Sequence, residues 1–189
     1  MHRIGRLLGG VTRRIAWDRP ARLLHDRRGA TALEFALVAA PLIALLLATL
    51  ETSLLYFAQQ GIETATEVAA RSIMTGATQK SGATQTQFQQ SVCSALPPYM
   101  NCANLMIDVE TYSSFSTVNT AIPTITFNKQ GQVSNSFGYN TGGPSAIVTV
   151  RLMYLWPVPP GPLHFNLSNV SNGQYLLTAL SVAKTEPYS

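Results

Sequence analysis

Asp108 and Glu110, in the stretch LMIDVETY, are the first residues whose types and spacing could do chemistry, because paired carboxylates can divide the roles of general acid and general base. Such a pair needs a nucleophile or base beside it, or a metal with several ligands. The chain offers little of either. His2 and His25 fall within the first 29 residues, so His164 is the sole histidine of the remainder. Alternation along a strand puts Asp108 and Glu110 on one side, which reads as a solvated strand face. TGGP at 141–144 has no lysine and no helix behind it, so it does not form a phosphate cradle. Cys93 and Cys102 are too few for a structural zinc site, which takes about four ligands. In an oxidising compartment they pair as a disulfide closing a small loop. Asn166-Leu167-Ser168 fits a glycosylation acceptor by pattern only. Trp156, ahead of a proline-rich stretch, reads as sheet packing. The residues therefore point away from an enzyme: no catalytic set, no metal site and no cofactor.

The elements that would position these residues start with an apolar run. Of the 189 residues 12% are charged and 46% hydrophobic, and Phe35 to Leu50 form an uncharged stretch between Glu34 and Glu51. At about 1.5 Å per residue this falls a little short of a hydrocarbon core of about 30 Å, and Leu54 to Phe57 extend it. Tyr56 and Phe57 suit the outer interface, and Pro41 is tolerated in a lipid-embedded helix. Ahead of the run, eight arginines against Asp18 and Asp26 make residues 1–29 net +6, while residues 30–189 are net −2. A basic head can bind nucleic acid, but next to an apolar span it marks the cytoplasmic flank, so no nucleic-acid partner is expected. Everything after the span then lies outside the cytoplasm. A cleaved secretory signal needs small residues at the first and third positions before the cut. Ala48, Ala58 and Gly61 are preceded at the third position by Leu46, Tyr56 and Gln59, so the segment is expected to stay as an anchor.

Beyond the run, Ile62, Ala65, Ala69 and Ile73 keep helical spacing, so the helix is expected to continue, with Gly61 weakening it. TGATQKSGATQTQ reads as a break, and TQTQFQQSVCSAL as a second helix stopped by Pro97 and Pro98. After Asn101 the language becomes that of strands: 105–112, 121–127, 146–156 and 174–184, bounded by Gly, Pro, Asn and Ser. The expected fold class is α+β: an N-terminal transmembrane helix continuing into an extracytoplasmic helix, then a small antiparallel sheet of about four strands. The expected divisions are a cytoplasmic leader over 1–29, a span over 30–58, a helical stalk and short second helix over 59–100, and a β domain over 101–189.

The stretch RRGATALEFALVAAPL, residues 27–42, resembles the processing site of type IV prepilins, and within that group the TadE-like pseudopilins of Flp (tight-adherence) pili. VCSALPPYMNC, SAIVTVRLMYLWPV and YLLTALSVAKTEPY are similar to the extracytoplasmic domain of that family. The 29-residue head departs from the short leaders of many pilins. The resemblance implies that a prepilin peptidase, a membrane aspartyl protease, cuts after Gly29 and leaves Ala30 as the new amino terminus. Glycine suits this, having no side chain to obstruct approach to the backbone. It also implies that Glu34, followed by the aromatic Phe35, pairs with the freed amino group of a neighbouring subunit's Ala30. An ion pair formed where water is scarce gains more than an exposed one. The same carboxylate at a helix N-terminus gains about 0.3–1 kcal/mol from the macrodipole, and the two roles are compatible. The implied partners are the peptidase, other pilins or pseudopilins, inner-membrane assembly proteins and the lipid bilayer. A membrane-anchored extracytoplasmic binding module that is never processed is the alternative.

Overall fold

The computed structural model describes residues 29–188, so the arginine-rich head expected to be a cytoplasmic leader lies, up to Arg28, outside the described residues. The described residues fall into two units, 29–43 and 44–188. What is described of the first is helical: Gly29 precedes the start of α1 (Ala30–Met74), which has Pro41 in its interior. The second holds the remainder of α1, two short helices and a sheet.

Within the second unit, α1 turns one stripe inward. Ala58, Ile62, Ala65, Ala69 and Ile73 are buried at spacings of three and four, the period of a helix face against a core. Small residues on that stripe admit close neighbours. At Gly61 a Cβ would stand 2.7 Å from Pro97 Cγ and 3.1 Å from Met100 Sδ, so the helix runs through this glycine because only hydrogen fits there. The helix ends at Gly76, whose φ of 75° is the left-handed conformation common after a helix C-terminus.

The break expected over 75–87 contains a single-turn helix, α2 (Ala77–Lys80). The second helix forms as α3 (Gln85–Ser94), opened by a capping box: Gln87 N–H donates to Thr84 Oγ1 at 3.3 Å and Thr84 N–H donates to Gln87 Oε1 at 2.9 Å. Phe88 and Val92 are its buried residues, and Phe88 meets Tyr139 at 5.6 Å between ring centroids.

The sheet has three antiparallel strands in the order β1 (Leu105–Tyr112), β2 (Ile147–Pro157), β3 (Gln174–Lys184). The α+β class holds, but the strand expected over 121–127 does not form. Phe127 makes one isolated bridge to Val133, and the segment belongs to the long connection between β1 and β2. Pro123 lacks the N–H that a ladder needs, which disfavours a strand there. The inner face, with Ile107, Val109, Val150, Leu152, Tyr154 and Leu177, joins α1 and α3 in a single core. The tyrosine inside that core keeps its hydroxyl satisfied, accepting from Asn101 N–H at 2.8 Å.

Both borders of the sheet carry other chain segments. Val109 N–H donates to Gly138 O and Asn140 N–H donates to Val109 O, each at 2.9 Å, so a piece of the connection runs beside β1. On β3, the Asn169 side chain accepts from Leu176 N–H at 2.7 Å, and Gln59 Nε2 donates to Thr178 O at 3.1 Å.

Candidate functional site

The residues singled out at the amino-terminal motif lie at the start of α1. Gly29 is exposed, and a Cβ built on it would meet no heavy atom within 4 Å. Ala30 begins the helix, and Glu34 follows one turn later, on the same side of the cylinder. No acidic residue stands in the first turn of α1, so Glu34 is beyond the reach within which the macrodipole acts strongly. Phe35 is 74% exposed.

The side chains that follow have a composition unlike that of a soluble surface. Leu33, Leu37, Val38, Leu45 and Leu50 are all more than 60% exposed, and between Leu33 and Leu50 Ala44 alone is buried. A contiguous exposed apolar surface of this kind marks a membrane or partner contact rather than a face turned to water. This helix is long and apolar enough to cross a membrane. Three of its hydroxyls are satisfied locally: Thr49 Oγ1 donates to Leu46 O at 2.8 Å, Thr52 Oγ1 to Ala48 O at 2.8 Å and Ser53 Oγ to Thr49 O at 2.7 Å. Hydroxyls that bond to the preceding turn carry no unpaired donor into lipid.

Cys93, in the last turn of α3, is bonded to Cys102, with Cα atoms 5.7 Å apart. The bridge ties the end of α3 to the residues just ahead of β1, across the Pro97 that packs on Gly61.

The two carboxylates of β1 do not share a solvated face. Asp108 is buried; Glu110 is exposed. Asp108 faces Arg151 in the β1–β2 register, and Arg151 Nη1 donates to Asp108 Oδ2 at 3.0 Å. Gly138 N–H donates to the other carboxylate oxygen at 2.9 Å, and Arg151 Nη2 donates to Asn119 O at 2.7 Å. All these groups are occupied, which leaves a structural clamp rather than an acid–base pair. Glu110 instead accepts from the Tyr112 hydroxyl, and that bond, with some burial, raises the phenol above its usual range. Among the described residues no group of three or more His, Cys, Asp and Glu could hold a metal ion.

Reasoning from sequence missed the Asp108–Arg151 clamp and the need for glycine at position 61. The first left a signal, an acid and a base on neighbouring strands, readable only once the register is known. The second left none, since the residues that crowd Gly61 are remote in sequence.

No curated protein and no solved structure matches the chain. The family model described as TadE-like protein matches residues 29–71, the segment that contains Gly29, Ala30, Glu34, Phe35 and the apolar run. The similarity to the TadE-like family therefore covers the part of the chain that opens on Gly29 and carries the apolar half of α1.

Proposed function

We propose that this chain is a TadE-like pseudopilin that serves in the assembly of Flp-type (tight-adherence) pili, acting as a structural protein and not as an enzyme. The observation that carries the reading is the family match, which begins at Gly29 and takes in Glu34 and the apolar run as one unit. In this reading a prepilin peptidase hydrolyses the Gly29–Ala30 peptide bond, releasing a leader that ends in the Gly29 carboxylate and a mature chain that begins with the Ala30 ammonium. Residues 30–58 then span the bacterial inner membrane, with the arginine head inside, 59–100 forming a helical stalk and 101–189 a β domain in the periplasm. The arginine-rich flank supports that orientation, and the Cys93–Cys102 bond fits an oxidising compartment. Glu34 pairs with the freed amino group of a neighbouring subunit, and so sets the axial register of packed helices.

The experiment is mass spectrometry of the membrane form after co-expression with the cognate peptidase. The expected mature chain starts at Ala30, and Gly29→Leu is expected to stay at full length. Nothing in the described chain fills the space beside Gly29, so loss of cleavage would report crowding at the protease. A chain that keeps Met1 in cells making functional pili would overturn processing and favour an unprocessed, membrane-anchored binding module.

A further inference from the structure

Glu51 is the first charged residue after the apolar run, and it does not simply reach for solvent. Its Oε2 is buried without a hydrogen-bond partner. The oxygen lies beside the loop after β2, 3.3 Å from where a Cβ on Gly161 would stand. Glu51, Leu54 and Leu55 of α1 form one side of a cleft of about 80 Å³, and Trp156, Pro159 and Leu167 line the other. A carboxylate oxygen held among apolar walls is costly unless a cation meets it. Among the described residues the single ion pair is Arg151 with Asp108, so the described chain does not supply that cation.

The position along the helix names the source. Sixteen uncharged residues precede Glu51, a rise of about 24 Å that brings it close to the far edge of a hydrocarbon core of about 30 Å. Trp156 stands on the same cleft, and tryptophan favours the headgroup level. What is abundant at that level and carries N–H donors on a positive centre is the primary ammonium of an ethanolamine phospholipid. Its ammonium can donate to the half-buried Glu51 carboxylate, its methylenes can lie against Leu54, Leu55 and Pro159, and the Trp156 ring offers an electron-rich face to the same cation. We infer that the cleft between Glu51 and the 156–167 loop is a binding site for the ammonium headgroup of phosphatidylethanolamine, seating the folded domain on the membrane surface. This rests on the membrane-spanning reading of α1 but not on cleavage or on pilus assembly.

The test is native mass spectrometry of the full chain released from lipid nanodiscs of equimolar phosphatidylethanolamine, phosphatidylcholine and phosphatidylglycerol. The trimethylated choline headgroup has the same charge but no N–H to donate. The wild-type chain is expected to retain phosphatidylethanolamine over phosphatidylcholine by roughly tenfold, the ratio that one charge-assisted hydrogen bond supports, and Glu51→Gln to lose that preference while still entering the discs. Equal retention of the two lipids, or an unchanged preference in Glu51→Gln, would overturn the site alone. A chain that did not enter the discs would overturn the spanning helix as well. A carbodiimide cross-link from Glu51 to a lysine of another protein in intact membranes would also overturn it, because the carboxylate would then serve a protein cation.

Discussion

Asp108 and Arg151 stand opposite each other on β1 and β2, 3.0 Å apart and each more than nine-tenths buried, in a sheet whose other face is an apolar core. Removing one member leaves an uncompensated charge in a dry place. Asp108→Ala is expected to cost about 3–5 kcal/mol of unfolding free energy. The double variant Asp108→Leu/Arg151→Met is expected to lose less than the sum of the two single changes, since both charges leave together. Urea unfolding of the four proteins in detergent measures the coupling, and strict additivity would show that the pair is not a unit.

Gly61→Ala tests the close approach of Pro97. Helix propensity alone favours alanine by about 1 kcal/mol, whereas a methyl group 2.7 Å from a rigid proline ring overpacks the core, at a typical cost of about 1–3 kcal/mol. The expected outcome is a lower thermal midpoint for Gly61→Ala. A higher midpoint would mean that the ring yields and that propensity decides.

Cys93 and Cys102 close a loop with a sequence separation of 9. Chain entropy assigns such a loop about 2–3 kcal/mol. The paired change Cys93→Ser/Cys102→Ser is expected to lower stability by that amount, and the purified wild-type chain to bind thiol reagents only after reduction. Two reactive thiols before reduction would contradict the bridge.

Glu34→Ala is expected to leave the chain processed and in the membrane while piliation fails, because the change removes a charge and keeps the apolar span. Membrane fractionation and pilus shearing from the same cells read both effects. Normal piliation would reduce Glu34 to a local helix contribution.

How much of this was legible in the sequence divides by the range of the interactions. The apolar run, the continuation of α1 past Gly61 and the strands over 105–112 and 174–184 follow from periodicity and from local chemistry, and the structure has all of them. The T-x-x-Q of Thr84 to Gln87 was also there to be read, as the capping box that opens α3. The failure over 121–127 is instructive. AIPTITF has the β-branched content of a strand, but forming one needs a neighbour with free backbone groups, and beside Val109 the β1 border is taken by Gly138 and Asn140. The same connection hides Asp108, which alternation alone had placed in water; Asn119 and Gly138 meet the Arg151–Asp108 pair from the chain between β1 and β2. Within the amino-terminal motif, Gly29 and Glu34 stand out by their spacing alone, and the segment matched by the family model contains both.

The way the sheet finishes its borders bears on crowding. A three-stranded sheet with open sides is a template for strand-by-strand association, and a pool of identical chains confined to one membrane plane would meet at high local density. Here the backbone of 138–140 covers part of one side, and Asn169 and Gln59 take up Leu176 and Thr178 on the other. What continues past Leu180 ends at Lys184, whose charge resists stacking against its own copy. Borders finished in this way disfavour strand-by-strand pairing between copies of the sheet.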